Sequence, residues 1–582
     1  MKRQLRLPFL SRCDSAQLQP VLAPRPRIDE SIDPASVSPS GPQRAWKQLG
    51  LVLLCGAWIA LGLIGHDPWK TEDATTFSIA TDMVQRHDIV APILVGEPRF
   101  DHGVLVPAIA AGFERLLAPP LELHNAARLA VGVLLVLILV FASLAARELD
   151  GRAFRWLPVL ILVGSVGFFD RAHALSGDLG VTLGAALALY GFALALRVPI
   201  AGGIVIGLGA AVGFLARGYA LPMWVAVTSI ALPIASRRWR TRAFAATMGI
   251  ALPVALVLGA TWPFAMYMRD ANLFAHWRDA ESAARYIAWL GPRADFDPTY
   301  AIKNLPWFAW PALPLVIWVF WIRGRGFNGG LASPGIVLPA VFSLVILAGL
   351  VSIANPTLTS MLPILVPLAV LAAVEVDTLS RSISGALDWF GMLTFGLLAT
   401  VLWFLWADSL INSMSPAVAR FFRDTEFGYR PPFQPWAVLV AVFLTLLWIA
   451  LVRPARKSNR RALLNWTAGI VLVWGLFSTI WMPYLDSRRS YRSMAVALAP
   501  HLPAHGCVAA RNLGDAQRAL LNYFTGLVTV PDGSAAAAKC NLLIVQYGRQ
   551  YPDRLRDYRT LWEGQRRGDD TEHFALYAKD GT

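Results

Sequence analysis

Residues 51–73 read LVLLCGAWIALGLIGHDPWKTED. An apolar run ends at Gly65 and meets His66, Asp67, Lys70, Glu72 and Asp73 within eight residues. A hydrocarbon core of about 30 Å takes about 20 apolar residues at about 1.5 Å rise each. Extended back to 47, this run is a first membrane span, and the charged cluster stands where the chain leaves the bilayer. Twelve further segments carry the same pattern, near 126–146, 156–169, 178–196, 200–216, 218–235, 243–264, 304–322, 334–353, 357–374, 389–407, 436–452 and 463–483. Of these, 156–169 and 357–374 are short, and their ends are set to within several residues. The apolar stretch 104–118 is interrupted by Glu114 and Arg115 and reads as an interfacial or re-entrant helix.

Composition agrees. The chain has 582 residues, 56% hydrophobic and 15% charged, against about 25% charged in a soluble domain. That excludes a disordered chain, a collagen-like chain and an ordinary soluble enzyme. Residues 1–46 are rich in Pro, Ser and Arg and lack an apolar signal core, so they read as a disordered tail and the first span as an uncleaved anchor.

The net charge of +14 is explained by sidedness. With the N-terminus inside, the cytoplasmic pieces are 1–47, 147–155, Arg197, 236–242, 323–325, 375–388 and 453–461. They hold 24 Lys and Arg against 9 Asp and Glu, a net +15, and the rest of the chain carries −1. Basic residues favour the cytoplasmic side. The charge is therefore an insertion signal, not a nucleic-acid footprint. Thirteen spans place the C-terminus outside, together with loops 66–125, 265–303 and 408–435. The tail 484–582 alternates strand-like runs (Gly506–Ala510, Leu527–Val530, Cys540–Gln546, His573–Lys579) with helix-like runs (Ser490–Ala499, Asp515–Gly526), a small extracytoplasmic α/β domain. Cys507 and Cys540 open two of its strands. On an oxidising face they form a disulfide or remain two buried thiols. Cys13 and Cys55 stay free.

Chemistry concentrates in loop 66–125, with nine acids and four bases. Phe77, Ala80 and Val84 share one face of a helix after the acid pair, which would lie on the membrane surface. Glu72 or Asp73 is a candidate general base, and Asp73 is alternatively a helix N-cap. Asp101 and His102 suit a metal, a proton shuttle, a substrate hydrogen bond or a polar turn. Asp178 opens a span as an N-cap or a cavity-facing acid. Arg217, a base on the side that avoids bases, suits a phosphate or snorkels to headgroups. Loop 265–303, with Trp277, Arg278, Tyr286 and Trp289, reads as an interfacial aromatic belt or as a lid over a lipid substrate. No Walker A, GxSxG, HExxH or nucleotide-type GxGxxG pattern is present.

Taken in order, a first span, a paired acid, an interfacial helix, the segment Gly96-Glu97-Pro98-Arg99-Phe100-Asp101 and a second interfacial helix resemble the protein mannosyltransferase superfamily of GT-C membrane glycosyltransferases. The bacterial branch that includes the lipid A aminoarabinose transferase is the nearest. The resemblance covers roughly 47–483. It implies an all-α polytopic membrane protein of GT-C type in a bacterial inner membrane, with about 13 spans and an external α/β domain at 484–582. It implies a sugar donor linked to a polyprenyl phosphate, an acceptor that is a lipid A-like lipid, another glycan or a protein, and inversion at the anomeric carbon. Glu72 falls where the family usually has Asp, so Glu72 and Asp73 both stay candidates, as a base or as a stabiliser of oxocarbenium-like charge. Asp101-His102 replace a Glu-Lys-Pro-Pro segment. Arg217-Gly218 match a Lys-Gly pair, which implies that Arg217, with Lys70 or Arg128, meets the leaving phosphate. Asp178 matches a second-loop acid that orients the Arg or holds a metal. Divalent metal use varies in the superfamily and is left open. A secondary transporter and a non-catalytic component of a glycan-assembly complex are the rival readings. Matched Gly/Pro-broken halves would favour the transporter, and none is visible.

Overall fold

A computed structural model of the chain describes residues 41–281, 283–286, 297–354, 356–411, 431–452, 458–503, 507–548, 558–566, 569 and 571–579. Cys13, Trp289, most of the tail and most of 408–435 lie outside these. The chain divides into Met1–Leu53 and Leu54–Thr582. In the first unit the described residues are helical from Gly41, so 41–46 belong to the helix and not to the tail. The helices that build the functional region are α1 (Gly41–Ala60), α2 (Glu72–Arg86), α3 (Leu105–Leu117), α4 (Leu123–Asp150), α5 (Leu157–Val163), α6 (Gly177–Ala195) and α7 (Pro199–Arg217).

Among the described residues eight helices are long and apolar enough to cross a membrane: α4, α6, α7, Arg242–Arg269, Pro334–Ser352, Arg381–Ile411, Pro435–Val452 and Asn459–Ser478. Tyr300–Phe308 and Ala312–Gly324, bent by 90°, make a ninth if taken as one span, and Gln48–Ala60, Ala220–Ala235 and Thr359–Ala373 are shorter apolar helices. The chain is a multi-pass helical membrane protein. The expected span 156–169 holds only the seven-residue α5. The helix stops at Gly164, and the Val166 amide turns to the Trp310 carbonyl at 2.9 Å.

α6 is the most enclosed span, with 94% of its apolar window buried in protein. Small residues make this contact close. A Cβ on Gly184 would lie 2.6 Å from the Gly209 carbonyl of α7, and one on Gly202 would lie 2.6 Å from Ala195.

The face of α2 expected to meet a membrane surface packs largely on protein. Ala74, Phe77, Ile79, Ala80 and Met83 are buried within the protein, and Phe77 meets Tyr523 of the helix Asp515–Thr525 edge to face at 4.9 Å. The 104–118 stretch forms α3, 13 residues long and too short to cross. Between α2 and α3, β1 (Ile93–Leu94) pairs with β2 (Glu97–Pro98) around Val95 and Gly96. Both turn residues have positive φ (49° and 85°), the requirement of a tight primed turn.

Residues 508–579 build a five-stranded sheet of order β4-β3-β5-β7-β6, from β3 (Val508–Arg511), β4 (Thr529–Pro531), β5 (Leu542–Tyr547), β6 (Tyr558–Gln565) and β7 (His573–Lys579). β3 runs parallel to β4 and β5, and β7 is antiparallel to β5 and β6. β6 was not anticipated. It is an edge strand, mostly half-exposed, whose Arg559, Glu563 and Gly564 break apolar alternation. Cys507 and Cys540 are joined as a disulfide, with Cα atoms 5.2 Å apart. Cys55 is free and buried.

Candidate active site

After α1 the chain turns at Gly62 and Gly65, both in the left-handed region (φ 79° and 94°), where glycine carries no steric penalty. The turn delivers 66–73 to the N-terminus of α4. Asp73 does not cap α2, since Thr71 occupies the cap position. Its carboxylate is turned inward and fully engaged. Oδ1 accepts from Arg128 Nη1 at 2.7 Å and from the Leu175 amide at 3.2 Å. Oδ2 accepts from His124 Nε2 at 3.0 Å and from the Trp69 amide at 3.3 Å. Arg128 spends its other donors on the carbonyls of Leu63, Gly62 and His173. Burial alone would raise the Asp73 pKa, but the Arg128 and His124 charges hold it far below the usual carboxylate range.

Glu72 faces a different set. Its Oε1 lies 3.5 Å from Arg217 Nη2, and its Oε2 lies 3.4 Å from His102 Nδ1. Oε2 and Nδ1 are both buried and lack hydrogen-bond partners. Arg217 Nη1 donates to Asp178 Oδ2 at 2.7 Å. His102 Nε2 stands 3.6 Å from the exposed Asp101 carboxylate. Burial opposes ionisation of Glu72, yet the Arg217 charge and His102 outweigh it and hold its pKa at about 2. Burial likewise disfavours His102⁺, but Glu72 and Asp101 reverse this and raise its pKa above the ordinary value.

Ala216 explains why these groups meet. A Cβ on Gly103 would fall 2.2 Å from the Ala216 carbonyl, one on Gly177 2.7 Å from it, and one on Gly180 2.6 Å from the Ala216 Cβ. Three segments thus converge on the end of α7 because glycine leaves room. The Val104 amide donates to the Leu215 carbonyl at 2.8 Å and pins the approach.

A cavity of about 270 Å³ opens on Glu72. Lys70, Asp73 and Arg128 also line it, with Trp69, Thr359, Arg171 and Arg489. Lys70 is ion-paired with Glu572 and Arg128 is buried against Asp73, so neither is a free cation. Arg217 is held between two carboxylates and does not snorkel. Asp178 follows the cap residue Ser176 and pairs with Arg217, so it is not an N-cap. Asp101 and His102 gain no metal set. Among the described residues no group of three or more His, Cys, Asp or Glu is arranged to hold a metal ion.

Loop 265–303 departs from the belt reading where it is described. Trp277 packs among Phe100, Phe214, Trp262 and Met266. The Tyr286 hydroxyl donates to Glu281, and Arg285 pairs with Glu281 and donates to the Asp101 carbonyl at 3.0 Å. Sequence reasoning missed His124, Glu572 and Arg489. His124 stands at the far end of the first loop, 51 residues from Asp73, Glu572 and Arg489 lie far along the chain, and no spacing marks any of them.

No family model matches the chain. Curated relatives are 23–25% identical. The undecaprenyl phosphate-alpha-4-amino-4-deoxy-L-arabinose arabinosyl transferase of Pseudomonas paraeruginosa is 25% identical over 364 residues, 60% of this chain and 63% of the relative. That of Pectobacterium carotovorum is 24% identical over 369 residues, 58% and 60%. The match thus spans less than two thirds of each relative. Among solved structures, ArnT from Cupriavidus metallidurans bound to undecaprenyl phosphate superposes with a TM-score of 0.66 at 14% identity, covering 91% of this chain and 98% of that one. The chain therefore has the fold of that transferase and resembles, in sequence, the aminoarabinose transferase branch of the GT-C membrane glycosyltransferases.

Proposed function

We propose that the chain is a glycosyltransferase that moves a sugar from a polyprenyl-phosphate donor to a lipid A-like lipid, or to another glycan or protein acceptor, at the extracytoplasmic face. Glu72 is the working carboxylate. One observation carries this choice: Glu72 lines the cavity with only the looser ion-pair contacts of Arg217 and His102 on its oxygens, and Oε2 makes no hydrogen bond, whereas each oxygen of Asp73 accepts two hydrogen bonds. The acceptor oxygen attacks the anomeric carbon. A new C–O bond forms there as the bond to the phosphate oxygen breaks, the phosphate leaves with the electron pair, and the centre inverts. A carboxylate held near 2 is a weak proton acceptor. Glu72 therefore orients the acceptor and stabilises positive charge at the anomeric carbon. An acceptor alcohol's proton passes to the leaving phosphate, and a phosphate acceptor has none to lose. Arg217 opposes the charge of that phosphate, and the Asp178 pairing supports an orienting role for the acid over metal binding.

The topology that goes with this reading is multi-pass, with a cytoplasmic N-terminus and an external C-terminal α/β domain. The Cys507–Cys540 disulfide supports an oxidising environment for that domain. The transporter and scaffold readings have no comparable support.

The test uses membranes carrying the full chain, supplied with undecaprenyl-phosphate-linked 4-amino-4-deoxy-L-arabinose and lipid A, with products followed by mass spectrometry. Glu72→Gln is expected to lower transfer at least about 100-fold while the protein stays folded, the order found for loss of one preorganised group. Wild-type activity in Glu72→Gln would sink the assignment, and no product from the wild type would sink this donor and acceptor.

A further inference from the structure

We propose that Glu572 is a positioning residue for the cavity: through Lys70 it sets where Glu72 stands. The inference rests on the reading of Glu72 above. Lys70 lines the cavity two residues before Glu72, and its ammonium is ion-paired with Glu572, 502 residues further on. Glu572 is itself 9% exposed. Its Oε1 also accepts from Gln517 Nε2 at 3.4 Å, and its Oε2 accepts from the Tyr491 hydroxyl. A buried carboxylate with every oxygen engaged is a fixed point, and the cation it holds is fixed with it.

The neighbouring residues are tied to the same region. The Asp67 amide and the Trp69 indole N–H both donate to Asp486 Oδ1 at 2.9 Å. The Asp67 carboxylate accepts from Ser490 Oγ at 2.6 Å and pairs with Arg492. On the far side of Glu72, Ala74 is buried in one cluster with Tyr491, Leu520 and Phe574. Segment 67–74 is therefore gripped on both sides by residues 486–574, and Asp73 anchors it to α4. Glu72 projects from between these ties. Of the ties to the C-terminal residues, Lys70–Glu572 is the ion pair nearest to Glu72 in the chain, and its cation lines the cavity. A positioned reactive group loses rate steeply when its support loosens.

In the same transfer assay, Glu572→Gln keeps an acceptor for Tyr491 and removes the charge that holds Lys70. We expect kcat to fall about tenfold with KM for the lipid-linked donor within about twofold. Lys70→Met should do the same, the double variant should be no worse than either single variant, and Glu572→Asp should recover part of the loss. A wild-type kcat for Glu572→Gln, or losses that multiply in the double variant, would overturn the inference. Its failure is distinguishable from failure of the underlying reading: an inactive Glu72→Gln beside a fully active Glu572→Gln removes only the positioning role, whereas an active Glu72→Gln removes both.

Discussion

Glu72 and Asp73 are adjacent in the chain and opposite in circumstance. Both line the cavity, but Glu72 faces Arg217 and His102 while Asp73 is turned onto Arg128 and His124, because the first turn of α2 separates neighbouring side chains by about 100°. Asp73→Ala removes one partner of a buried ion pair, which typically costs about 3–5 kcal/mol. It is expected to lower the thermal midpoint and the yield of folded protein more than Glu72→Gln, which keeps the shape of the side chain and loses only its pairing with Arg217 and His102. Size-exclusion and melting profiles of the two variants separate the roles. The same cluster sets the pH response. Glu72 has its pKa depressed to about 2 in the fold, so its pairing contributes above its unfolded value of about 4.5 and is lost as pH falls toward 2. No acid limb near 4.5 is expected in kcat/KM. His102 has its pKa raised by Glu72 and Asp101 against the opposing effects of burial and Arg217. Its favourable contact with Glu72 is full below about 6.5 and fades as pH rises through the raised value. Transfer should therefore decline on the alkaline side, and His102→Asn should flatten that limb. An unchanged limb in His102→Asn would refute this.

At the scale of elements, the amphipathic pattern of α2 and the apolar run of α3 were legible from period and length. What they pack against was not. Glu114 interrupts α3 as a surface residue would, yet it is fully buried, with Thr81 of α2 donating to it at 3.3 Å. Burial raises its pKa to about 8, so it is neutral at pH 7, and because the unfolded carboxyl ionises near 4.5 the fold loses stability as pH rises from about 4.5 to about 8, with no further loss beyond. Glu114→Gln keeps an acceptor for Thr81 and removes that loss. Its thermal midpoint at pH 9 should exceed that of the wild type, by a margin that shrinks as pH falls from about 8 toward 4.5, and equal midpoints at pH 9 would contradict the assignment. Gly103 makes the complementary case. With φ +63° and the Ala216 carbonyl 2.2 Å from where a Cβ would sit, Gly103→Ala must push 101–103 off the end of α7. We expect a transfer defect comparable with loss of His102, measurable in the same assay.

At the scale of the molecule, the segments assigned to the basic side find one another. Arg323 pairs with Glu375, Arg460 with Asp377, and Arg197 with Glu148. Each of the first two pairs joins separate segments of that side, and the third joins 147–155 to Arg197. At the other end, residues 486–574 hold the first loop, with Arg518 on Glu97 and Arg99 on Asp515 as further ties. If that hold matters, the sheet it rests on matters too. Closing a loop of 33 residues typically contributes about 2–4 kcal/mol. Cys507→Ala with Cys540→Ala, or treatment with a reductant, should therefore lower the melting temperature and transfer together. Loss of stability without loss of transfer would separate the sheet from the site. That the chain crosses a membrane many times, and that an acid pair follows the first apolar helix, followed from the sequence alone, because hydropathy and short-range order depend on neighbours along the chain. Which carboxylate is free and which is spent did not. That was decided by Arg128, His124, His102 and Arg217, which reach the pair from α4, the 101–104 segment and α7, and only close glycine packing brings those elements within a side chain's length of one another.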